Sequence, residues 1–159
     1  MRKRNIAIAA AGAALAVAVG VPTAAGAAST HNREAQCAAA FDAAVHEDNN
    51  AYNARDIDRY TAILNPRMIF WFDGSTTYGR DAIIATARNS FAVPGWVWTY
   101  DIQSETVYGC ASGIAVLDAH VTYAPGTGVN KHYAVTMQLV REHGDWTVAI
   151  DNVHLVSAG

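Results

Sequence analysis

The second half of the chain contains the stretch that decides the fold. Residues 96–156 read WVWTYDIQSETVYGCASGIAVLDAHVTYAPGTGVNKHYAVTMQLVREHGDWTVAIDNVHLV. Four segments are rich in β-branched and aromatic residues, which favour strands: residues 96–107, 114–123, 129–141 and 146–156. Turn-forming residues such as Pro125-Gly126 separate them. Strands that follow one another through short turns predict an antiparallel meander.

Helices are predicted before this meander. Within residues 33–54, apolar side chains recur at spacings of three and four, the period of one helical face, and Asp48 is the polar exception on that face. Asp56 can cap a second, shorter helix, which Pro66 ends. Gly79-Arg80-Asp81 opens a third helix. The first half of the chain therefore predicts three helices.

Two short strands complete the predicted layout, at residues 67–72 and 76–78. Because the predicted helices come before the antiparallel meander in the chain, we expect an α+β fold. In it, three N-terminal helices pack on a curved, mainly antiparallel sheet.

The N-terminus has the features of a secretory signal peptide. Arg2-Lys3-Arg4 form a basic start, residues 6–19 are uncharged and apolar, and Ala25-Gly26-Ala27 gives a small-x-small cleavage pattern. The apolar run is short for a membrane span, which needs about 20 residues. We expect residues 1–28 to be removed near Ala27/Ala28. The product would be a secreted single domain of residues 29–159, with no membrane association.

The charge balance excludes two classes of partner. Three of the 11 basic residues lie in the predicted signal peptide, which leaves 8 against 14 acidic residues and a net charge of about −6. An acidic chain without a basic stripe is not expected to bind nucleic acid or an anionic membrane surface.

The two cysteines, Cys37 and Cys110, both lie in the predicted mature chain. An even pair in an oxidising compartment indicates a disulfide, with two buried free thiols as the alternative. Closing this long loop would stabilise the fold by roughly 4 kcal/mol on a chain-entropy estimate.

Several short motifs together resemble the nuclear transport factor 2-like superfamily, in its SnoaL-like branch. They are Ala54-Arg55-Asp56-Ile57-Asp58 between the first helices, Leu64-Asn65-Pro66 before the first strand, Asp73-Gly74 with Tyr78-Gly79-Arg80-Asp81-Ala82-Ile83, and the closing Arg141-Glu142-His143-Gly144-Asp145-Trp146. The resemblance implies a cone-shaped α+β barrel with a small-molecule pocket between helices and sheet. It also implies a homodimer packed through the outer face of the sheet.

The strand at residues 114–123 alternates strictly between two faces. One face carries Ala115, Leu117, Ala119, Val121 and Tyr123, and the other carries Ile114, Val116, Asp118, His120 and Thr122. Periodicity alone places the first face on the core and the second in water. The register implied by the family resemblance instead points Asp118, His120 and Thr122 into the cavity. There, Asp118 could raise the pKa of His120 and fix its tautomer, which prepares a general base or acid.

Two better-known catalytic patterns of the superfamily match only in part. Where ketosteroid isomerases carry their two acidic residues, this chain aligns Phe72 and Thr136. Residues 51–59 resemble a scytalone dehydratase segment, in which Tyr52 corresponds to a tyrosine that polarises a substrate oxygen. Asn53 replaces the aspartate that pairs with the catalytic histidine there. Tyr52 as a core aromatic residue and Asn53 as a surface or capping residue are the alternatives.

The same register implies further residues around a substrate: Phe72, Trp98, Tyr100, Thr122, Thr136 and Gln138. The chain shows no H-E-x-x-H or C-x-x-C spacing, no complete phosphate loop and no G-x-S-x-G motif. No metal and no cofactor is therefore expected.

Two functions are consistent with these features. The first is a secreted, cofactor-independent enzyme that acts on a small organic molecule by general acid/base catalysis, as a lyase, isomerase or cyclase. In it, His120 and Asp118 would move the proton while Tyr52 and Asn53 orient the substrate. The alternative is a secreted non-catalytic protein of the same fold that binds a small molecule or a partner, because the recognised acidic positions are replaced.

Overall fold

The computed structural model describes residues 24–159, with side chains from His31 onward. In this part of the chain there are three helices, α1 (Ala24–Ala54), α2 (Ile57–Ile63) and α3 (Arg80–Phe91). There are six strands, β1 (Leu64–Phe72), β2 (Ser75–Tyr78), β3 (Trp96–Tyr108), β4 (Ser112–Tyr123), β5 (Lys131–Glu142) and β6 (Asp145–Ala158). None of the helices described combines the length and apolar character that crossing a bilayer requires.

The predicted signal peptide falls mostly on residues 1–23, which lie outside the described residues, and it stays a prediction. Helix α1 begins at Ala24, earlier than the predicted start at residue 33. The alanine-rich sequence there has high helix propensity, which accounts for the longer helix. Helix α2 is capped as predicted, because the Asp56 side chain accepts a hydrogen bond from the Arg59 backbone N–H at 3.1 Å.

The six strands form one sheet in the order β2-β1-β6-β5-β4-β3. Only the β1–β6 pair is parallel, and the other neighbours are antiparallel. The helices cover one face, which we call the inner face, and the other is the outer face. The α+β prediction is confirmed. The sheet is nevertheless open and not a closed barrel, because β2 and β3 at its two edges do not pair with each other.

The core lies between α1 and the inner face of the central strands. Its largest fully buried side chains include Phe41 and Val45 from α1, and Leu117, Met137 and Leu139 from β4 and β5. Because these strand residues are at odd positions, their even-numbered neighbours are on the outer face.

The Cys37–Cys110 disulfide fastens α1 to the turn between β3 and β4, with its Cα atoms 5.4 Å apart. This confirms the predicted pairing. The bridge closes a loop with a sequence separation of 73 residues and joins the helical layer to the sheet beside the Phe41 ring.

Gly113 on β4 allows the Phe41 ring to pack directly on the strand backbone. A Cβ atom at this position would overlap three atoms of that ring. We therefore expect Gly113→Ala to lower the free energy of unfolding by about 1–3 kcal/mol, through overpacking. Chemical denaturation measures this change.

Phe41→Leu provides the matched background, because the smaller side chain leaves room for the methyl group. The additional cost of Gly113→Ala should shrink in that background. An equal cost with and without the Phe41 ring would contradict the proposed overlap.

Candidate functional site

A cavity lies between the inner face of the sheet and helices α1 and α2. Its volume is about 110 Å³, and an adjoining pocket of about 400 Å³ shares six of its lining residues. The shared residues are Tyr52, Tyr60, Phe70, Phe72, Val121 and Tyr133. The walls are thus mainly aromatic and aliphatic, as is usual for sites that bind small organic molecules.

Two carboxyl groups line the smaller cavity. Asp48 comes from α1 and Asp151 from β6, and their exposed fractions are only 6% and 8%. The Oδ1 atom of each is buried without a hydrogen-bond partner among the described residues. Burying a polar atom in this way is costly, so the arrangement calls for a functional explanation.

The apolar surroundings shift both carboxyl groups toward their neutral forms. Burial raises the pKa of Asp151 from its ordinary 3.8 to about 7. The pKa of Asp48 is raised well above its usual range, first by burial and then by the negative charge of Asp151. The cavity therefore holds two carboxyl groups whose ionisation is disfavoured, and Asp151 gains or loses its proton near neutral pH. Such a pair can act as general base and general acid.

The aromatic wall beside Asp48 is held by hydrogen bonds from α1. Asn49 Oδ1 accepts a bond from Trp98 Nε1 at 2.9 Å, and Asn49 Nδ2 donates to the Val45 carbonyl at 2.8 Å. Asn53 Oδ1 accepts from the Trp98 backbone N–H at 3.0 Å. These bonds fix Trp98 at the cavity and anchor α1 to β3.

The tyrosine hydroxyls near the carboxyl groups remain neutral donors. Burial raises the pKa of Tyr52 and raises that of Tyr60 more strongly. Both side chains line the cavity. A neutral hydroxyl can hydrogen-bond to a substrate oxygen and help to orient it.

Asp151 points inward because of an irregularity in β6. Gln138 pairs with Ile150 while the next residue, Leu139, pairs with Val148, so Ala149 is an extra residue in β6. The inner face therefore changes from even to odd numbers between Val148 and Asp151. The sequence alone does not place Asp151 inside, because strict alternation from Val148 would place Ile150 there. The sequence does indicate that Asp48 is unusual, because it is the polar exception on the apolar face of α1.

The predicted site residues fall into several groups. Tyr52, Phe72 and Trp98 line the cavity, and their roles remain predictions. Asn53 is not part of the lining and holds the Trp98 backbone instead. Tyr100 lies outside the cavity, beneath the edge of α1, where its hydroxyl is 2.5 Å from His46 Nδ1.

The expectation that Asp118, His120 and Thr122 face the cavity is wrong. They lie on the outer face, since Leu117 and Ala119 are buried on the opposite face of the strand and Val121 lines the cavity there. Periodicity alone gave the correct faces of β4, and the register implied by the resemblance did not.

Thr136 and Gln138 were expected at the cavity and are also on the outer face. They pair with Val116 and Ile114 of β4, which lie on that face. The inner positions of β5 are taken by the odd-numbered residues, including Val135 and Met137.

The arrangement of three helices on one face of a sheet around a cavity defines the nuclear transport factor 2-like class of folds. The model of the family described as "SnoaL-like domain" matches residues 39–151, most of the chain. The protein therefore belongs to the SnoaL-like family. Proteins of this fold family include isomerases and dehydratases and bind small molecules.

Solved structures share the fold at low sequence identity. A ketosteroid isomerase-like protein from Erwinia carotovora atroseptica is 16% identical, with a TM-score of 0.66, covering 76% of this chain and 96% of its own. A type 2 hexachlorocyclohexane dehydrochlorinase (LinA) is 14% identical, with a TM-score of 0.68, covering 82% and 91%. A Caulobacter vibrioides protein with a cystatin-like fold is 19% identical, with a TM-score of 0.64, covering 77% and 91%. No curated protein sequence matches the chain.

The raised pKa of Asp151 makes a prediction about stability. Between about pH 4 and pH 7 the unfolded state releases this proton and the folded state keeps it, so the free energy of unfolding falls as the pH rises. This loss in the free energy of unfolding is complete above about pH 7. It amounts to roughly 4 kcal/mol, because the folded-state pKa is about 7 and the ordinary value is about 4. Asp151→Asn should therefore be more stable than the original chain above pH 7, with a smaller dependence on pH.

Chemical denaturation at about pH 4 and about pH 9 checks this prediction. Asp145→Asn is the control, since Asp145 is exposed at the start of the same strand and its replacement should leave the pH dependence unchanged. The prediction fails if Asp151→Asn is the less stable protein at both pH values.

Proposed function

We propose that this protein is a cofactor-independent enzyme that acts on a small, partly apolar organic molecule by general acid/base catalysis. The observation that carries the proposal is the pair of buried carboxyl groups, Asp48 and Asp151, in an aromatic cavity, where their Oδ1 atoms have no hydrogen-bond partner among residues 31–159. Asp118 and His120 face away from this cavity. We therefore assign the proton transfer to Asp48 and Asp151 instead of to that pair.

Each carboxyl group has a distinct role in the proposed reaction. The Asp151 carboxylate removes a proton from a C–H or O–H group of the substrate, because a pKa of about 7 suits a general base near neutral pH. Protonated Asp48 stabilises the oxygen that gains negative charge, or protonates a departing hydroxyl group. In an isomerisation Asp151 returns the proton to the substrate at another atom. In a dehydration the Asp48 proton leaves with water, and exchange with solvent resets the pair.

The fold relatives support this class of chemistry. The names of a dehydrochlorinase and a ketosteroid isomerase-like protein describe an elimination and an isomerisation, and both proteins share this architecture. Tyr52 lines the same cavity and is proposed to orient a substrate oxygen.

A general probe of base catalysis tests the proposal without knowledge of the natural substrate. In 5-nitrobenzisoxazole, removal of the ring C–H proton breaks the N–O bond and releases a coloured nitrophenolate. We expect turnover that rises with pH and levels off above about pH 7, as the Asp151 carboxylate forms. Asp151→Asn should lower the rate by about 100-fold or more.

Asp145→Asn again serves as the control and should keep the activity. Turnover that persists in Asp151→Asn would contradict the assignment of the base. Quenching of tryptophan fluorescence by the probe without turnover would favour the alternative, a binding protein. That alternative is supported by the aromatic walls and by Phe72 and Thr136 at the acidic positions of ketosteroid isomerases.

We further propose that the protein is exported and loses residues 1–28. The Cys37–Cys110 disulfide supports this proposal, because such bridges persist outside the reducing cytoplasm. The mass of the exported protein should correspond to a chain that begins near Ala28. A mass that still includes the N-terminal segment would contradict cleavage.

A homodimer through the outer face is the proposed assembly. Ile114, Val116, Val140 and Ile150 are apolar side chains on one half of that face, where they surround Gln138 and Thr136. Sedimentation of the mature chain distinguishes a dimer from a monomer.

A further inference from the structure

The other half of the outer face carries a cluster of three potential metal ligands. Asp118 and His120 come from β4 and His132 from β5. One ligand atom from each side chain lies within 4.8 Å of the others. The Asp118 carboxylate contacts His132 Nε2 directly and lies 4.0 Å from His120 Nε2. Both histidines thus direct the same ring nitrogen toward the same carboxylate oxygen.

The two histidine rings are held face to face. His120 and His132 are cross-strand partners, and their rings stack at a centroid distance of 4.5 Å with planes only 9° apart. A carboxylate–histidine hydrogen bond explains the position of His132. It does not explain His120, whose ring has no hydrogen-bond partner within the described part of the chain. A ligand bound by both rings and the carboxylate would give all three side chains a common role.

We propose that Asp118, His120 and His132 bind a divalent transition-metal ion, with Zn²⁺ the best match. Two imidazoles and one carboxylate are a recurrent ligand set for Zn²⁺ and for other first-row metals. Bonds of about 2.0–2.2 Å in a tetrahedral site place neighbouring ligand atoms roughly 3.3 Å apart. To reach this geometry the two rings tilt out of their stacked arrangement, the Asp118–His132 contact opens and His120 moves closer to Asp118.

The scaffold and the charge favour a cation at this position. Adjacent central strands fix the backbone of all three residues, which limits the reorganisation needed for binding. The side chains are one-third to one-half exposed, so an ion can enter and water can complete its coordination. Asp101 is the cross-strand partner of Asp118 on β3 and adds a second carboxylate to the region.

The site is separate from the cavity, because the sheet lies between the outer face and the aspartates. The metal therefore takes no part in the proposed proton transfer and instead stabilises the folded protein by binding it in preference to the unfolded chain. The sequence contains no recognisable metal motif for this cluster, because the ligands come from two strands and have no single characteristic spacing.

Calorimetry with ZnCl₂ on the mature, tag-free, chelator-treated protein tests the proposal. We expect one equivalent of Zn²⁺ to bind and to raise the melting temperature, and EDTA to reverse the rise. Co²⁺ should give the visible absorption bands of a tetrahedral site. His120→Ala or His132→Ala should weaken binding by more than about 100-fold, since even loss of an outer-sphere partner costs about 10- to 100-fold.

His154→Ala is the matched control, because this histidine is exposed on the neighbouring strand of the same face. It should leave zinc binding unchanged. Circular dichroism of the metal-free variants verifies that they fold. Absence of saturable binding to the folded protein, or full binding in folded His120→Ala/His132→Ala, would overturn the proposal.

Discussion

The packing of α1 on the inner face of β4 and β5 is the constraint on which the rest of the structure depends. Phe41 and Val45 lie against strand residues that are completely buried, and Gly113 lets the Phe41 ring approach the backbone. Because alternate residues of a strand face opposite ways, this contact fixes both faces of the sheet at once. The odd positions of β4 and β5 form the core, and the even positions bring Asp118, His120 and His132 together outside.

The same packing explains why the cavity carries two carboxyl groups at a cost in stability. Asp48 lies on the face of α1 that meets the sheet, and Asp151 lies on the inner face of β6. In the part of the chain that the structure describes, neither has a charged partner to offset its desolvation, so the pKa of each is raised. A hydrophobic residue at either position would stabilise the fold. The proposed function would explain why both acids are retained, since proton transfer in an apolar cavity requires them.

The elements could be predicted from sequence because their signals are local. The Asp56 cap, the apolar spacing of α1 and the turns between strands each depend on a few neighbouring residues. The Cys37–Cys110 pairing followed from the even number of cysteines in the predicted export context. The alternation of β4 also predicts its two faces correctly, whereas the register implied by the distant resemblance does not.

Asp151 could not be placed in the same way. Its orientation depends on the extra residue Ala149, and an irregularity of this kind arises from how β6 pairs with β1 and β5, not from the sequence of β6 alone. His120 and His132 likewise lie side by side only because β4 and β5 pair in one particular register. Local patterns therefore give the elements, whereas the chemistry of both sites depends on register.

The position of β6 in the sheet has a consequence for the order of folding. This last strand lies between β1 and β5, so the β1–β2 hairpin joins the meander only when residues 145–158 are available. The parallel β1–β6 pair connects segments far apart in the chain, and such contacts form slowly because a long loop must close first. A nascent chain that lacks β6 can have neither a complete sheet nor Asp151. Late completion would keep the polypeptide unfolded for longer, which is the state in which a chain can be threaded across a membrane.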